Sequence, residues 1–269
     1  MPIDVTQAER SNAEPHIIVE GLTKRFGDFV ALHDINMCIG RGEIVVIIGG
    51  SGAGKSTLLK MLIALDRPTT GAIYVDGQNI VRLGETKLNH VRRKFGMVFQ
   101  YSALLDSLTV FENVAFPLRE HAKLREREIR KRVLDLLELL NLEGVDTKMP
   151  SELSGGMRKR VGLARALMLE PEIIMYDEPT SGLDPLSSRL VDQLISDTRD
   201  RFGVTSIVIS HDMAGALRTA DQIYLLSRGH VAASGTPRDL VQQRSGLVRD
   251  FFEASGIAAE HLVSSQRLR

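Results

Sequence analysis

A glycine-rich segment from Gly49 to Thr57 restricts the folds open to this chain more than any other feature. It reads GGSGAGKST and follows the apolar run Ile44–Ile48, so it predicts a buried strand that turns directly into a helix. Glycines let backbone N–H groups curl around phosphate oxygens, and the positive end of the helix dipole points at the same charge. The predicted phosphate-binding residues are Gly49, Gly50, Ser51, Gly52, Ala53, Gly54, Lys55, Ser56 and Thr57. Lys55 would reach the β- and γ-phosphates of a nucleotide and Ser56 would bind Mg²⁺. The alternative is a glycine-rich turn with a solvated lysine.

Short apolar strands alternate with helical stretches, which predicts an α/β fold with a largely parallel sheet. The strands are expected at residues 17–20, 44–48, 96–99, 173–176 and 206–210. Residues 30–39 and 72–75 are expected as antiparallel additions at one edge of this sheet.

The strand signals vanish between residues 100 and 169, so we expect a helical insertion at about residues 101–169. Within it, residues 125–142 place Ile129, Val133, Leu136, Leu137 and Leu140 on one helical face. Residues 157–169 are expected to form a second helix.

Composition favours a soluble, intracellular enzyme. The chain has 269 residues with 34 Lys plus Arg and 34 Asp plus Glu, so net charge gives no bulk attraction to nucleic acid, and no nucleic-acid partner is expected. The single cysteine, Cys38, excludes an intrachain disulfide and fits a reducing compartment. No apolar run approaches the ~20 residues of a membrane-spanning helix, and the polar N terminus lacks the apolar stretch of a signal peptide.

Two adjacent carboxylates, Asp177 and Glu178, follow the apolar run at residues 173–176. Parallel sheets bind ligands at the carboxyl ends of their strands, so both residues are candidates for the active site. Adjacent residues of a strand point to opposite sides, which favours separate roles. Asp177 would hold the Mg²⁺ shell, while Glu178 would orient and polarise the attacking water as a general base. The alternative is a pair of solubilising loop carboxylates.

Three further side chains are candidates because of where they stand in the chain. Gln100 ends the run FGMVFQ, where the sheet gives way to the helical insertion, and its amide is suited to binding Mg²⁺ or the water. His211 follows the strand at residues 206–210 and can donate to a γ-phosphate oxygen, although a histidine at a strand end is more often structural. Phe26 is placed either to stack on adenine or to pack in the core.

The run LSGGM at residues 153–157 opens the second helix of the insertion and offers a second anion cradle. Ser154 and the N–H groups of Gly155 and Gly156 would bind an anion at the start of that helix. Such a cradle is useful only when a phosphate is delivered to it.

In chain order, Phe26, GGSGAGKST, Gln100, LSGGM, IIMYDEP, SGLD and His211 resemble the ATP-binding cassette (ABC) family of ATPases, from about residue 16 to residue 245. The resemblance implies a P-loop NTPase (RecA-like) core, with ATP and Mg²⁺ as cofactors. It also implies a head-to-tail homodimer, in which LSGGM of one chain closes over the γ-phosphate held by the other. Asp184 would then lie at the dimer seam. Residues 1–15 would be an N-terminal segment, and residues 246–269 a tail without a clear partner in the core, a candidate subunit contact.

Where the family's pentapeptide usually ends in glutamine, this chain has Met157, which leaves Ser154 and both glycines in place but puts the ribose contact in doubt. Together with YSALLDSLTVFENVAFPLREH at residues 101–121, LSGGM is similar to the ATPase subunits of Mla-type phospholipid transporters. That resemblance implies a peripheral protein at the cytoplasmic face of the bacterial inner membrane. The implied partners are an integral-membrane permease that docks near residues 101–118, a small STAS-domain subunit and an MCE-type lipid-binding subunit.

The residues expected to line the permease groove are Leu104, Leu105, Leu108 and Phe111, with Pro117 ending their short helix. The alternative is that these apolar side chains only pack the insertion.

Three other functions stay open. An ABC importer ATPase for another cargo, such as amino acids, shares all the catalytic residues, and only Met157 and residues 101–121 argue against it. ABC ATPases of DNA repair or translation generally carry two cassettes or long coiled-coil insertions, whereas this chain has one cassette and no extended heptads. A nucleotide-gated scaffold that has lost hydrolysis does not account for Glu178, His211 and Gln100 together.

Overall fold

The structure is a computed structural model that describes residues 14–100, 102–243 and 246–254. The strands, in chain order, are β1 (Pro15–Phe26), β2 (Phe29–Gly40), β3 (Ile44–Ile48), β4 (Thr70–Val75), β5 (Gln78–Asn79), β6 (Phe95–Val98), β7 (Ile173–Asp177), β8 (Thr205–Ser210), β9 (Gln222–Ser227) and β10 (His230–Gly235). The helices are α1 (Lys55–Leu62), α2 (Glu85–Arg92), α3 (Val110–His121), α4 (Glu126–Leu139), α5 (Gly155–Leu167), α6 (Pro185–Phe202), α7 (Met213–Thr219), α8 (Pro237–Val241) and α9 (Leu247–Ala254).

A six-stranded sheet in the order β10-β9-β3-β8-β7-β6 forms the centre of the fold. Its strands are parallel except for β10, which pairs antiparallel with β9 at one edge. Both β3 and β8 are buried along their whole length, as expected for parallel strands covered on both faces. The predicted α/β fold with a largely parallel sheet is therefore confirmed, although β9 and β10 were not predicted from the sequence.

Side chains of β3 divide the interior into two layers. Ile44, Val46 and Ile48 pack with the side of the molecule that carries α3 to α7, while Val45 and Ile47 pack with β1, β2 and α1. This division follows from the two-residue period of a strand, which sends successive side chains to opposite faces. Strand β3 is thus packed between helices on one face and β1, β2 and α1 on the other.

The second sheet has four strands in the order β2-β1-β4-β5, all antiparallel. The expectation that residues 17–20 belong to the parallel sheet is wrong, because they lie in β1, which pairs with β2 and β4. The predicted antiparallel strands at residues 30–39 and 72–75 are confirmed, and they lie in a separate sheet that packs on the central one. A tight connection between Phe26 and Phe29 joins β1 to β2 and favours this local hairpin over a distant parallel pairing.

Helices α3, α4 and α5 follow β6 in the chain, and no strand occurs among residues 102–169. The amphipathic face predicted for α4 is confirmed, since Ile129, Val133, Leu136 and Leu137 are its buried residues. Helix α3 begins with a capping box formed by Thr109 and Glu112.

Proline 117 does not end α3, contrary to the sequence prediction. Pro117 lies inside the helix, which continues to His121. A proline removes one backbone donor, but α3 buries Val114 and Leu118 on either side of it, and this packing outweighs the lost hydrogen bond.

The C-terminal helix α9 is attached to the core. Val248 and Phe252, four residues apart on one face, are each 3% exposed and join the hydrophobic cluster on the helical side of the sheet. The expectation of a tail without a partner in the core is therefore wrong for residues 247–254, while residues 1–13 and 255–269 lie outside the described residues. No described helix combines the length and the apolar character that crossing a bilayer requires.

Candidate active site

A cavity of about 720 Å³ opens where β3, β6, β7 and β8 end. Because these strands are parallel, the loops that follow them meet at one edge of the sheet, where ligands of such sheets bind. The cavity is lined by Phe29, Ala31, Gly50, Ser51, Gly52, Ala53, Gly54, Lys55, Ser56, Thr57, Gln100, Asp177, Glu178, Ser181, Ile209 and His211. The structure therefore brings the glycine-rich segment together with Gln100, both carboxylates and His211.

The glycine-rich loop needs its glycines for steric reasons. A Cβ at Gly49 would lie 2.4 Å from the carbonyl oxygen of Leu226, and one at Gly54 would lie 2.6 Å from Cδ2 of Leu32. Gly54 also has a φ of 103°, a value that side chains rarely tolerate. It precedes α1, which begins without a capping side chain, so the N–H groups of the first turn suit an anion in the cavity.

The ammonium group of Lys55 lies between the loop and a carboxylate. Its Nζ donates to the carbonyl oxygens of Gly49 at 2.7 Å and Gly50 at 3.2 Å, and lies 3.5 Å from Oε1 of Glu178. The side chain is 11% exposed. Gly49 does not line the cavity but holds Lys55 through its carbonyl group.

Glutamate 178 leaves the line of its strand. Strand β7 ends at Asp177, and Glu178 has a φ of 48°, a left-handed conformation that costs about 1 to 3 kcal/mol in a residue other than glycine. Its N–H group donates to the carbonyl oxygen of Ile209 at 2.8 Å, which fixes the turn against β8. Both carboxylates consequently line the same cavity, so the prediction that they point to opposite sides is wrong.

Oxygen ligands suited to Mg²⁺ meet at this cavity. Ser56, Gln100 and Asp177 offer a hydroxyl, an amide carbonyl and a carboxylate, the hard donors that Mg²⁺ prefers. Burial, and next the charge of Glu178, raise the pKa of the Asp177 carboxyl, while Lys55 opposes the shift. A cation bound to Asp177 would favour its ionised form, so the donor set fits this metal.

Gln100 is linked to a residue that the sequence analysis did not single out as a site residue. Its Nε2 donates to Oγ of Ser181 at 3.0 Å, and both side chains line the cavity. Ser181 begins the run SGLD, from which the sequence analysis named only Asp184.

The phenylalanine that lines the cavity is Phe29, not Phe26. The two residues face each other across the β1–β2 connection and are 67% and 51% exposed respectively, so Phe26 is not a core aromatic. Instead, the ammonium of Lys24 lies 4.9 Å from the centre of the Phe26 ring. The signal that could have pointed to Phe29 is the short glycine-containing hairpin that places both aromatics at its tip. Adenine stacking by Phe26 stays a prediction.

The remaining predicted residues do not line the cavity. Ser154 caps α5 through a 3.3 Å hydrogen bond from the N–H of Met157 to its Oγ, and Gly155 and Gly156 are exposed. Asp184 caps α6 by accepting hydrogen bonds from the N–H groups of Leu186 and Ser187. Both helix starts thus face solvent, and phosphate binding by Ser154, Gly155 and Gly156, which stays a prediction, would need a phosphate held by a second molecule.

Comparisons with known proteins agree with this geometry. A family model described as ABC transporter matches residues 32–181. The chain is 44% identical over 237 residues to the intermembrane phospholipid transport system ATP-binding protein MlaF of Haemophilus influenzae, covering 88% of this chain and 90% of that protein. It is 43% identical over 241 residues to the probable ribonucleotide transport ATP-binding protein mkl of Mycobacterium leprae, covering 90% and 70%. It is also 40% identical over 257 residues to the methionine import ATP-binding protein MetN of Symbiobacterium thermophilum, covering 94% and 77%.

Solved structures show the same fold. A dimeric structure of the ATP-binding cassette MJ0796 bound to ADP and phosphate matches with a TM-score of 0.73 and 36% identity, covering 82% of this chain and 99% of that chain. The cbiO1 protein of Clostridium perfringens, part of the ABC transporter complex cbiONQ, matches with a TM-score of 0.81 and 31% identity, covering 93% and 99%. By its glycine-rich loop, the residues gathered around that loop, and these relatives, the chain belongs to the ATPase family of ABC transporters.

Proposed function

We propose that this chain is the ATP-hydrolysing subunit of an ABC transporter that moves phospholipid between the inner and outer membranes and so maintains outer-membrane lipid asymmetry. The observation that best supports ATP hydrolysis is the position of Glu178. Its carboxylate lies between Lys55 and His211 at the wall of the cavity. Within the chain we propose an ATP-binding domain at residues 16–245, with a helical subdomain at about residues 101–169.

The residues around the cavity divide the work of phosphoryl transfer. The N–H groups of residues 50–57 and the ammonium of Lys55 would bind the phosphates of ATP. Ser56, Asp177 and Gln100 would hold Mg²⁺, which neutralises charge on the phosphates when bound. Glu178 would accept a proton from the attacking water, and His211 would orient that carboxylate and contact the γ-phosphate.

We propose that ATP hydrolysis by this chain needs a second copy of the chain. Ser154, Gly155 and Gly156 stand exposed at the start of α5, away from the cavity of their own chain. In a head-to-tail homodimer they would close over the γ-phosphate bound by the partner, with Asp184 at the seam. The dimeric structure of the related cassette MJ0796 supports this proposal.

We propose that a permease docks near residues 101–118. Of the four side chains expected to line its groove, Leu105 is 43% exposed and Leu108 is partly exposed, whereas Leu104 and Phe111 pack partly against the helical core. Phe116, which the sequence analysis did not select, is 44% exposed on α3. Leu105 and Phe116 therefore offer exposed apolar surface to a partner, while the first residue of the segment, Tyr101, lies outside the described residues.

The proposed assembly rests on the resemblance to Mla-type transporters and not on the geometry of the cavity. It comprises an MlaE-like integral-membrane permease, an MlaB-like small STAS-domain subunit and an MCE-type, MlaD-like lipid-binding subunit, with the ATPase at the cytoplasmic face of the bacterial inner membrane. Support for phospholipid as cargo comes from the similarity to MlaF over 90% of that protein, and from Met157 in place of the usual glutamine. Met157 is partly buried against the helical core, so its side chain is directed into packing.

A second candidate function is an importer ATPase for another cargo. The relatives named for methionine import and ribonucleotide transport are 40% and 43% identical, close to the value for MlaF. The active site is common to all of them, so hydrolysis does not separate the candidates.

Purification of the chain with its native membrane partners in mild detergent distinguishes the two candidate functions. The copurified proteins and lipids would be identified by mass spectrometry, and phosphate release from Mg-ATP measured on the same sample. Recovery of phospholipid with a lipid permease supports the proposal, whereas recovery of an amino-acid permease overturns the cargo and leaves the enzymology in place. Absence of phosphate release would overturn the ATPase assignment itself.

A further inference from the structure

Lysine 159 connects the loop that carries Gln100 to the loop that carries Glu178. It lies on α5, and its Nζ donates to the carbonyl oxygen of Pro179 and lies 3.4 Å from the carbonyl oxygen of Gln100. Pro179 directly follows Glu178, so one ammonium group reaches the main chain of two neighbouring loops that line the cavity.

The ammonium group of Lys159 has only carbonyl groups as partners among the described residues. Its side chain is partly buried, and no carboxylate of the described chain forms an ion pair with it. Burial lowers the pKa of Lys159. A buried charge is unfavourable unless its donors are satisfied, so a lysine here implies a role for those two bonds beyond filling space.

The same helix holds the loop after Gln100 at a second point. Ser102 and Ala103 both have positive φ values, 61° and 44°. Arg165 donates to their carbonyl oxygens at 2.8 and 2.7 Å. At Gly162, between the two basic residues, a Cβ would lie 3.2 Å from Cβ of Ser102, so the helix and the loop are in close contact.

We propose that Lys159 is a positioning residue for ATP hydrolysis, an inference that rests on the proposed function. By binding the carbonyl groups of Gln100 and Pro179, it fixes the Gln100 side chain and the Glu178 carboxylate relative to each other. The hydrogen bond from Gln100 to Ser181 is a second link between the same two loops. Because α5 begins within the LSGGM run, the hydrogen bonds of Lys159 also connect the helix that carries that run to both loops.

Steady-state ATPase kinetics of the full chain test this role. Lys159→Met keeps most of the side-chain volume but removes the charge and the donors. We expect kcat to fall at least ~10-fold, while the equilibrium affinity for a non-hydrolysable ATP analogue with Mg²⁺ changes less than ~2-fold, because the phosphate loop is untouched. Lys159→Arg keeps the charge and donors and should recover kcat to within ~3-fold of the wild type. The matched control is Lys131→Met, which removes an exposed lysine of α4 and should leave kcat unchanged.

The outcomes separate this inference from the proposed function. If the wild type hydrolyses ATP and Lys159→Met keeps kcat within ~2-fold, the role of Lys159 is wrong and the ATPase assignment stands. A parallel loss of kcat, nucleotide affinity and thermal midpoint would show a purely structural role and overturn the inference. Equal kcat values for Lys159→Arg and Lys159→Met at an unchanged thermal midpoint would overturn it as well. No hydrolysis by the wild type would instead overturn the proposed function.

Discussion

The imidazole Nδ1 of His211 lies 2.6 Å from Oε2 of Glu178, although the two residues are 33 positions apart. Adjacent parallel strands bring them together, since β7 pairs with β8 and each residue follows the end of its strand. An Nδ1–H that donates to Oε2 leaves Nε2 without a proton in the neutral ring. For Nε2 to donate to a γ-phosphate oxygen while Glu178 stays ionised as the proposed base, the imidazole must carry both protons.

Replacing Glu178 with Gln is expected to lower kcat by at least ~10², because an amide does not accept the proton of the attacking water. Binding of Mg-ATP should persist, since Lys55 and the phosphate loop are unchanged, and the dimer should accumulate in its closed, ATP-bound form. Phosphate release and size-exclusion chromatography with Mg-ATP measure the two effects. Glu138→Gln, an exposed residue of α4, is the control. Wild-type turnover by Glu178→Gln would rule out Glu178 as the base.

Substituting His211 with Ala should lower kcat at least ~10-fold, because Glu178 loses the hydrogen bond that orients it. If His211 acts mainly through Glu178, the double variant should be no more than ~3-fold slower than Glu178→Gln alone. Single-turnover rates of all four proteins give the coupling. Fully additive losses would mean that His211 acts on the phosphate independently of the carboxylate.

Lys55→Ala should weaken binding of Mg-ATP itself by at least ~10-fold, equivalent to about 1.4 kcal/mol. Its ammonium is held at the phosphate loop by Gly49 and Gly50, where it can reach phosphate oxygens. Equilibrium titration with ATP measures the affinity, and Lys60→Ala, an exposed lysine of the same helix, should bind normally. An unchanged affinity of Lys55→Ala would remove the phosphate-binding role from this residue.

Local sequence patterns were sufficient to predict the strand Ile44–Ile48 and the glycine-rich loop after it, because both depend only on consecutive residues. They also placed Gln100, Asp177, Glu178 and His211 at strand ends, and those ends meet at one edge of a parallel sheet.

The features that the sequence did not predict depend on contacts distant along the chain. The hydrogen bond between Gln100 and Ser181 spans 81 positions, and that from Lys159 to Gln100 spans 59, so neither has a local signature. The left-handed turn at Glu178 is stabilised by a neighbouring strand, and propensity alone would not favour it. Likewise, the packing of α3 around Pro117 overrides the local tendency of proline to end a helix.

Changing Leu105 to Glu tests the proposed permease surface. A buried carboxylate at an apolar contact is unfavourable, so the variant should lose copurification with the permease. Its basal ATPase activity without the permease should stay within ~2-fold of the wild type. Leu65→Glu replaces a leucine that is 66% exposed after α1 and should copurify normally. Full recovery of the permease with Leu105→Glu would place the docking surface elsewhere.

A buried histidine on β1 is expected to make the fold sensitive to mild acid. His16 is 1% exposed, its Nδ1 lies 2.7 Å from Oγ1 of Thr205, and its Nε2 lies 3.3 Å from the Arg41 guanidinium. Burial, and next the charge of Arg41, lower the pKa of His16 from its usual 6.5, and they prevail over the nearby carboxylates of Asp76 and Glu172.

Because the pKa of His16 is lower in the folded state, the unfolded chain takes up a proton at a pH where the folded chain does not. The free energy of unfolding should therefore fall as pH drops below about 6.5, until the folded-state pKa is reached, with a slope of at most about 1.4 kcal/mol per pH unit from this group. His16→Gln keeps a hydrogen-bonding side chain but lacks this proton uptake. Urea unfolding between about pH 7.5 and pH 5.5 should show the wild type losing its advantage over His16→Gln. His90→Gln, an exposed residue of α2, should run parallel to the wild type, and parallel curves for His16→Gln would show that His16 does not set the acid response.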